Sequence, residues 1–179
     1  MLDSHFSYTV EKAEAETSVK DFLRHCIDVP KFLACCQACP NYAHRWSCPP
    51  FSFNPMDVWN AYTGLRLYAR FLIPGNADGH ALMGALRKEK PGFLQELLRL
   101  EQDTPDSLAL ACGTCDACNV CVKESGRPCA HPEQLRYSIE ALGGDVGEAA
   151  QRYFGKPLLW IHNGEAPEYL MLVGGLLTR

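Results

Sequence analysis

Four cysteines stand at every third position in CGTCDACNVC, from Cys112 to Cys121, and Cys129 follows eight residues later in PCAHP. No other feature constrains the fold as strongly, because a loop carrying so many thiols must be shaped around something they hold. A C-x2-C pair offers two thiolates from one tight loop, and a lone tetrahedral ion takes two such pairs pointing inward from separate loops. Cys115, Cys118 and Cys121 instead follow one another at x2 spacing. That pattern wraps one loop round three corners of an iron–sulfur cluster, with a more distant cysteine closing the fourth. Cys129 is the natural fourth ligand, and the intervening VKESGRP supplies the reach. Zinc is the alternative occupant. Cys112 ends the apolar run SLALA and reads as a small core residue.

A second cysteine segment lies upstream, CCQACPNYAHRWSCPPF. Cys36 and Cys39 form a C-x2-C pair with Cys48 nine positions further on, and Cys39 and Cys48 each precede a proline, as cluster ligands in ferredoxin-type motifs do. Three thiolates imply a second metal site, whose fourth ligand stays open among Cys35, Cys26, His44, water and a partner's side chain. The alternative is one site shared between the two segments. Tyr42, Trp46 and Phe51 read as apolar cover for the first motif. Arg45, Arg127 and Arg136 could offset cluster charge, and His131 reads as a hydrogen-bond donor near the metal rather than a ligand.

The remaining composition fits this reading. At 179 residues the chain can bury a core without cross-links. Its ten cysteines therefore point to metal or redox chemistry in a reducing, cytoplasmic setting. The opening MLDSHFSYTV lacks a basic start and an apolar run, and no apolar stretch is long enough for a bilayer. A net charge of −4 without a basic run argues against nucleic acid or an anionic membrane as partner.

Periodicity predicts a strand through Phe6, Tyr8 and Val10, a helix capped by Ser18, and another starting near Asp28 and Pro30. Asn54 and Pro55 open a helix bearing Trp59, and GLRLYARFLIP alternates as a strand. A helix from Ala81 meets Pro91, which breaks or restarts it before the stripe Phe93, Leu94, Leu97 and Leu98. SLALA is a short strand, so the second cysteine segment begins at a strand end. Pro132 is expected to start a helix bearing Leu135 and Ile139. Asp145 with Glu148 forms a capping box for a helix ending at Gly155. PLLWIHN and EYLMLVGGLL are expected to close the chain as a hairpin round NGEAP. The fold class is α+β: a single domain over 1–179, a largely antiparallel sheet with flanking helices, and metal-binding loops at 35–51 and 112–132.

CQACPNYAHRWSCPPFSF, CGTCDACNVC with CAHPEQLRYSIEALGGDV, and LLWIHNGEAPEYLMLVGGLL together resemble the DUF2284 family of predicted metal-binding proteins. The resemblance covers nearly the whole chain and implies one full-length domain. It matches Cys36, Cys39 and Cys48 in the first motif and Cys115, Cys118, Cys121 and Cys129 in the second. Cys26, Cys35 and Cys112 fall outside it, and Ala130 replaces the basic residue usual before His131. No phosphate-binding loop, Ser-His-Asp set or zinc-protease helix is legible. The leading function is a 4Fe-4S protein passing electrons to or from a partner enzyme. The alternatives are a zinc-stabilised interaction module and an enzyme using an open iron at the first motif.

Overall fold

The computed structural model describes residues 6–76 and 78–179. Its framework is a four-stranded antiparallel sheet in the order β1-β2-β4-β3, with β1 at Tyr8–Ser18, β2 at Gly64–Pro74, β3 at Leu108–Leu110 and β4 at Leu170–Thr178. Five α-helices accompany it: α1 (Val19–Cys26), α2 (Val29–Gln37), α3 (Pro55–Asn60), α4 (Gly79–Asp103) and α5 (Val146–Phe154).

Strand periodicity sorts the core onto two faces. From β2, Leu65 and Leu67 point to one side, where they meet Phe22, Trp59, Ile139, Leu142 and Val146. Tyr68 and Leu72 point to the other, where they meet Leu82, Ala85, Phe93 and Leu97 of α4. Full burial of one such leucine or phenylalanine stabilises by roughly 1.5–3 kcal/mol, so the alternating strand and the helical stripe lock each other's register. Gly174 permits the contact with α4: a Cβ there would lie 2.7 Å from Leu97 Cδ1 and 2.9 Å from the Leu110 carbonyl oxygen.

Helix starts follow the sequence closely. Ser18, Asp28, Asn54 and Asp145 each accept a backbone N–H in the first turn of the helix they precede. The helix expected from Ala81 starts at Gly79, with Asp78 accepting the Ala81 N–H. It also runs unbroken through Pro91 to Asp103. Pro91 is on the exposed side, where water can take the carbonyl it leaves free, while buried Ala85, Phe93 and Leu97 hold the helix to the sheet on either side.

Two expected elements are absent. The Pro132 segment is a chain of turns, because its backbone is engaged elsewhere: the Tyr137 carbonyl accepts the Ala111 N–H, and Ile139 and Ser138 close local turns with Gly144 and Leu142. PLLWIHN is not a strand either. Only a His162–Glu165 bridge forms around the NGEAP turn, and β4 pairs instead with β2 and β3. Residues 156–163 pass along the outside, with Trp160 exposed and the Pro157 carbonyl accepting the Tyr169 hydroxyl at 2.7 Å.

Cys26, 1 % exposed, packs into the core with Phe22 and Ile139. Burial, reinforced by Glu148, pushes its thiol up to about 11 from 9.0. The thiol is protonated in both states below pH 9, whereas between about 9 and 11 only the unfolded chain readily releases its proton. Stability is therefore expected to fall across that interval, by on the order of 2–3 kcal/mol from this residue. Denaturant midpoints measured on both sides of the interval check this, with Cys26→Ala expected to show the shallower decline. Identical slopes for variant and wild type would assign the decline to other groups.

Candidate metal centre

The two cysteine segments meet where β3 ends. Ala111 bridges to Ser138, and Cys112 turns away from the strand while still packing on the α4 side of the core, as its apolar setting suggested. The next loop is tied to the first segment. The Cys115 N–H donates to Ser47 Oγ at 3.1 Å, and Ser47 is 1 % exposed. Lys123 Nζ donates to the Arg45 carbonyl at 3.0 Å and lies 5.3 Å from the Trp46 ring centre, and Trp46 Nε1 donates to the Arg127 carbonyl at 3.2 Å.

Cys115, Cys118, Cys121 and Cys129 line one small cavity, bordered by Trp46, Ser47 and Leu135. All four are partly buried. The short 3₁₀ turn at Val122–Ser125 carries the chain from Cys121 toward Cys129. Trp46 thus covers the second motif and not the first, a correction to the expectation from sequence. Tyr42 and Phe51 also leave the first motif: they line a separate apolar recess with Val29 and Pro49, and Phe51 stacks on Phe53 at 4.8 Å.

Cys36 and Cys39 open onto a different space, a wider trough shared with Phe32, Cys35, Glu140, Val146, Leu158 and Trp160. Cys36 lies in the last turn of α2, and the Cys39 N–H bonds back to its carbonyl at 3.0 Å, so the pair occupies one tight turn. Cys48 comes close enough that charge on Cys48 or Cys39 opposes ionisation of Cys36, and charge on Cys39 opposes that of Cys48. The two motifs therefore make adjacent, separate places. Among the described residues, no three His, Cys, Asp or Glu side chains are gathered so as to hold a single metal ion; the second motif's thiols surround a cavity instead.

Electrostatics favour a cation here. Burial, then the neighbouring Cys48 and Cys39, pushes the Cys36 thiol up to about 11. Burial also raises Cys48 and Cys115, against the relief that the Ser47 hydroxyl gives Cys48 and backbone N–H groups give Cys115. Such thiols keep their protons at neutral pH unless a bound metal compensates the charge. Metal loading must then release protons, and affinity falls as pH falls. Cys112, pushed up to about 12 chiefly by burial, is the thiol least suited to ionise.

The basic and imidazole groups divide. Arg45 lines the second cavity. Arg136 is engaged by Glu101, and His131 pairs with Glu133 at 3.4 Å on the surface. His44 pairs with exposed Glu124 at 3.2 Å and does not line the trough, and Cys26 is sealed in the core. Neither His44 nor Cys26 lines the trough. Sequence reasoning missed Glu140. Burial pushes its carboxyl above the usual carboxylate range, with the Ser138 hydroxyl and the Gly113 amide partly offsetting that. The signal was a lone carboxylate inside the apolar turn IEALGG.

Among the described residues no helix is long and apolar enough to cross a membrane. The sequence matches no curated protein and no solved structure. The family described as predicted metal-binding protein (DUF2284) matches residues 26–178, a span that takes in both cysteine motifs and strands β2, β3 and β4. The chain belongs to the DUF2284 family of predicted metal-binding proteins.

Proposed function

We infer that Cys115, Cys118, Cys121 and Cys129 hold a 4Fe-4S cluster and that the protein passes electrons to or from a partner enzyme. The observation carrying this is the convergence of these four thiols on one cavity, with no other cysteine lining it. Four thiolates standing round a space suit a cluster that brings its own iron and sulfide, whereas a single zinc ion needs its donors drawn together. Bound there, the cluster would supply a reversible one-electron couple.

The surrounding residues serve that task. Trp46 and Leu135 exclude water from one side of the cavity, which together with hydrogen bonds to sulfur sets the potential of such a centre. Lys123 and Arg45 place positive charge between the motifs and favour the thiolate at Cys48. The partly exposed loop from Cys118 to Cys121 keeps the electron path to the surface short, and Val120 at its tip, 76 % exposed, offers apolar contact to a redox partner. Cys36, Cys39 and Cys48 hold a second metal centre beside the first.

Anaerobic iron and sulfide quantitation with electron paramagnetic resonance on the dithionite-reduced protein tests this reading. Equimolar iron and acid-labile sulfide with a reduced-cluster signal are expected. Zinc without sulfide would replace the reading with a zinc-stabilised interaction module.

A further inference from the structure

Two of the first motif's thiols, Cys36 and Cys39, line the trough with Cys48 close enough to Cys36 to oppose its ionisation, and the structure brings a donor of another kind to the same trough. Glu140 shares that trough with Cys36 and Cys39. Its Oε2 is buried without a hydrogen-bond partner, the only buried side-chain oxygen so left among the described residues. Arg70 Nε is the one nitrogen in that condition, and its guanidinium is otherwise satisfied by Glu89 and Glu96 over the Phe93 ring. A buried carboxyl oxygen left without a partner is costly in the absence of a cation. It is what a metal ligand looks like before the metal is bound.

The rival donors in the trough are otherwise committed or differently placed. Asp145 caps α5 through Oδ1 and meets Lys31 Nζ at 3.2 Å through Oδ2. Cys35 also lines the trough, but it is exposed and sits about a quarter-turn round α2 from Cys36. Glu140 is held at the mouth of the turn that Gly143 and Gly144 close against α2 and Ile139, so its backbone is fixed.

We propose that Glu140 is the fourth ligand of the metal centre at Cys36, Cys39 and Cys48, binding through Oε2 to the one iron that no thiolate reaches. This rests on the reading that these three cysteines bind an iron–sulfur centre. A carboxylate is a harder and more labile donor to iron than a thiolate. The iron it holds faces the trough, so it is the position where a small anionic or neutral oxygen- or sulfur-donor ligand exchanges in.

The test begins with wild-type holoprotein loaded with isotopically enriched iron. Its Mössbauer spectrum is expected to show one iron of the first-motif centre in a partly oxygen-ligated environment beside three thiolate-ligated ones. Glu140→Ala and Glu140→Gln, examined after brief exposure to a mild oxidant, are expected to lose that one iron in four and give a 3Fe-4S paramagnetic signal, with the second-motif centre retained as the check on folding. Cys35→Ser should behave as wild type. A wild-type first-motif centre with four equivalent thiolate-bound irons overturns the proposal, whatever the variants do. So does Cys35→Ser yielding the three-iron signal while Glu140→Ala does not. If Cys36→Ser and Cys48→Ser lose no iron, the underlying reading fails as well, a result distinct from loss of iron in those variants but not in Glu140→Ala.

Discussion

Cys118→Ser and Cys121→Ser are each expected to strip the second motif of all its iron and sulfide together, whereas Cys112→Ser keeps them. The four thiols around that cavity are its only sulfur donors, so removing one leaves a corner of the cluster open in a partly exposed loop. Cys112 lies on the core side of the strand end and takes no part in the cavity. Its replacement buries a hydroxyl among apolar neighbours, which lowers stability by about 1–3 kcal/mol without touching the metal. Iron and sulfide assays on the same preparations, with thermal unfolding alongside, separate the two effects. Equal losses of iron from Cys112→Ser and Cys129→Ser would mean that the cluster occupies the other register of the motif.

The second large effect is expected at Trp59. This ring is 0 % exposed, stacks on Phe22 at 5.3 Å, and donates its Nε1–H to the Leu142 carbonyl at 3.0 Å. Trp59→Ala removes the largest side chain from that face of the sheet, at about 3–5 kcal/mol. It also leaves the Leu142 carbonyl unpaired in the core, at about 1–3 kcal/mol more. Against a total stability of about 5–15 kcal/mol this is severe, and a fall in unfolding midpoint of about 10–20 °C is expected. Trp59→Phe, which keeps most of the packing and loses only the donor, should fall by a small part of that. Because Leu142 belongs to the turn that positions Glu140, Trp59→Ala should also loosen the first metal centre before the second. A midpoint unchanged by the alanine substitution would show that the two faces of the sheet do not share one cooperative core.

What was legible in the chain follows from how local each signal is. Caps at Ser18, Asp28, Asn54 and Asp145 could be read because a side chain satisfying the first turn needs only its own neighbours. The alternation of Leu65, Leu67, Ala69 and Phe71 could be read because both faces of β2 are covered in register. The four cysteines of the second cavity could be read because their spacing is itself the shape of the loop. Pro132 misled because the carbonyl of Tyr137 is claimed by Ala111, more than twenty residues earlier, a tertiary bond with no local trace. PLLWIHN misled because its expected hairpin partner, β4, has no open edge: β2 and β3 flank it on both sides. Glu140 and the recruitment of Trp46 to the second motif required the fold, since each acts on a segment distant in sequence.

The arrangement of the sheet bears on how the protein acquires its metal. Both core faces are built mainly from β2, β4 and the helices, and of the cysteine loops only Phe51 and Cys112 pack against them, with Cys115 and Ala117 on a small cluster beside α4. At one border of the sheet β1 carries Glu11, Lys12, Glu14 and Glu16 on its exposed positions, and at the other β3 is only three residues long. Charged or very short border strands resist pairing with other chains. A newly made polypeptide thus has borders that keep it dispersed before its thiols have taken up a metal.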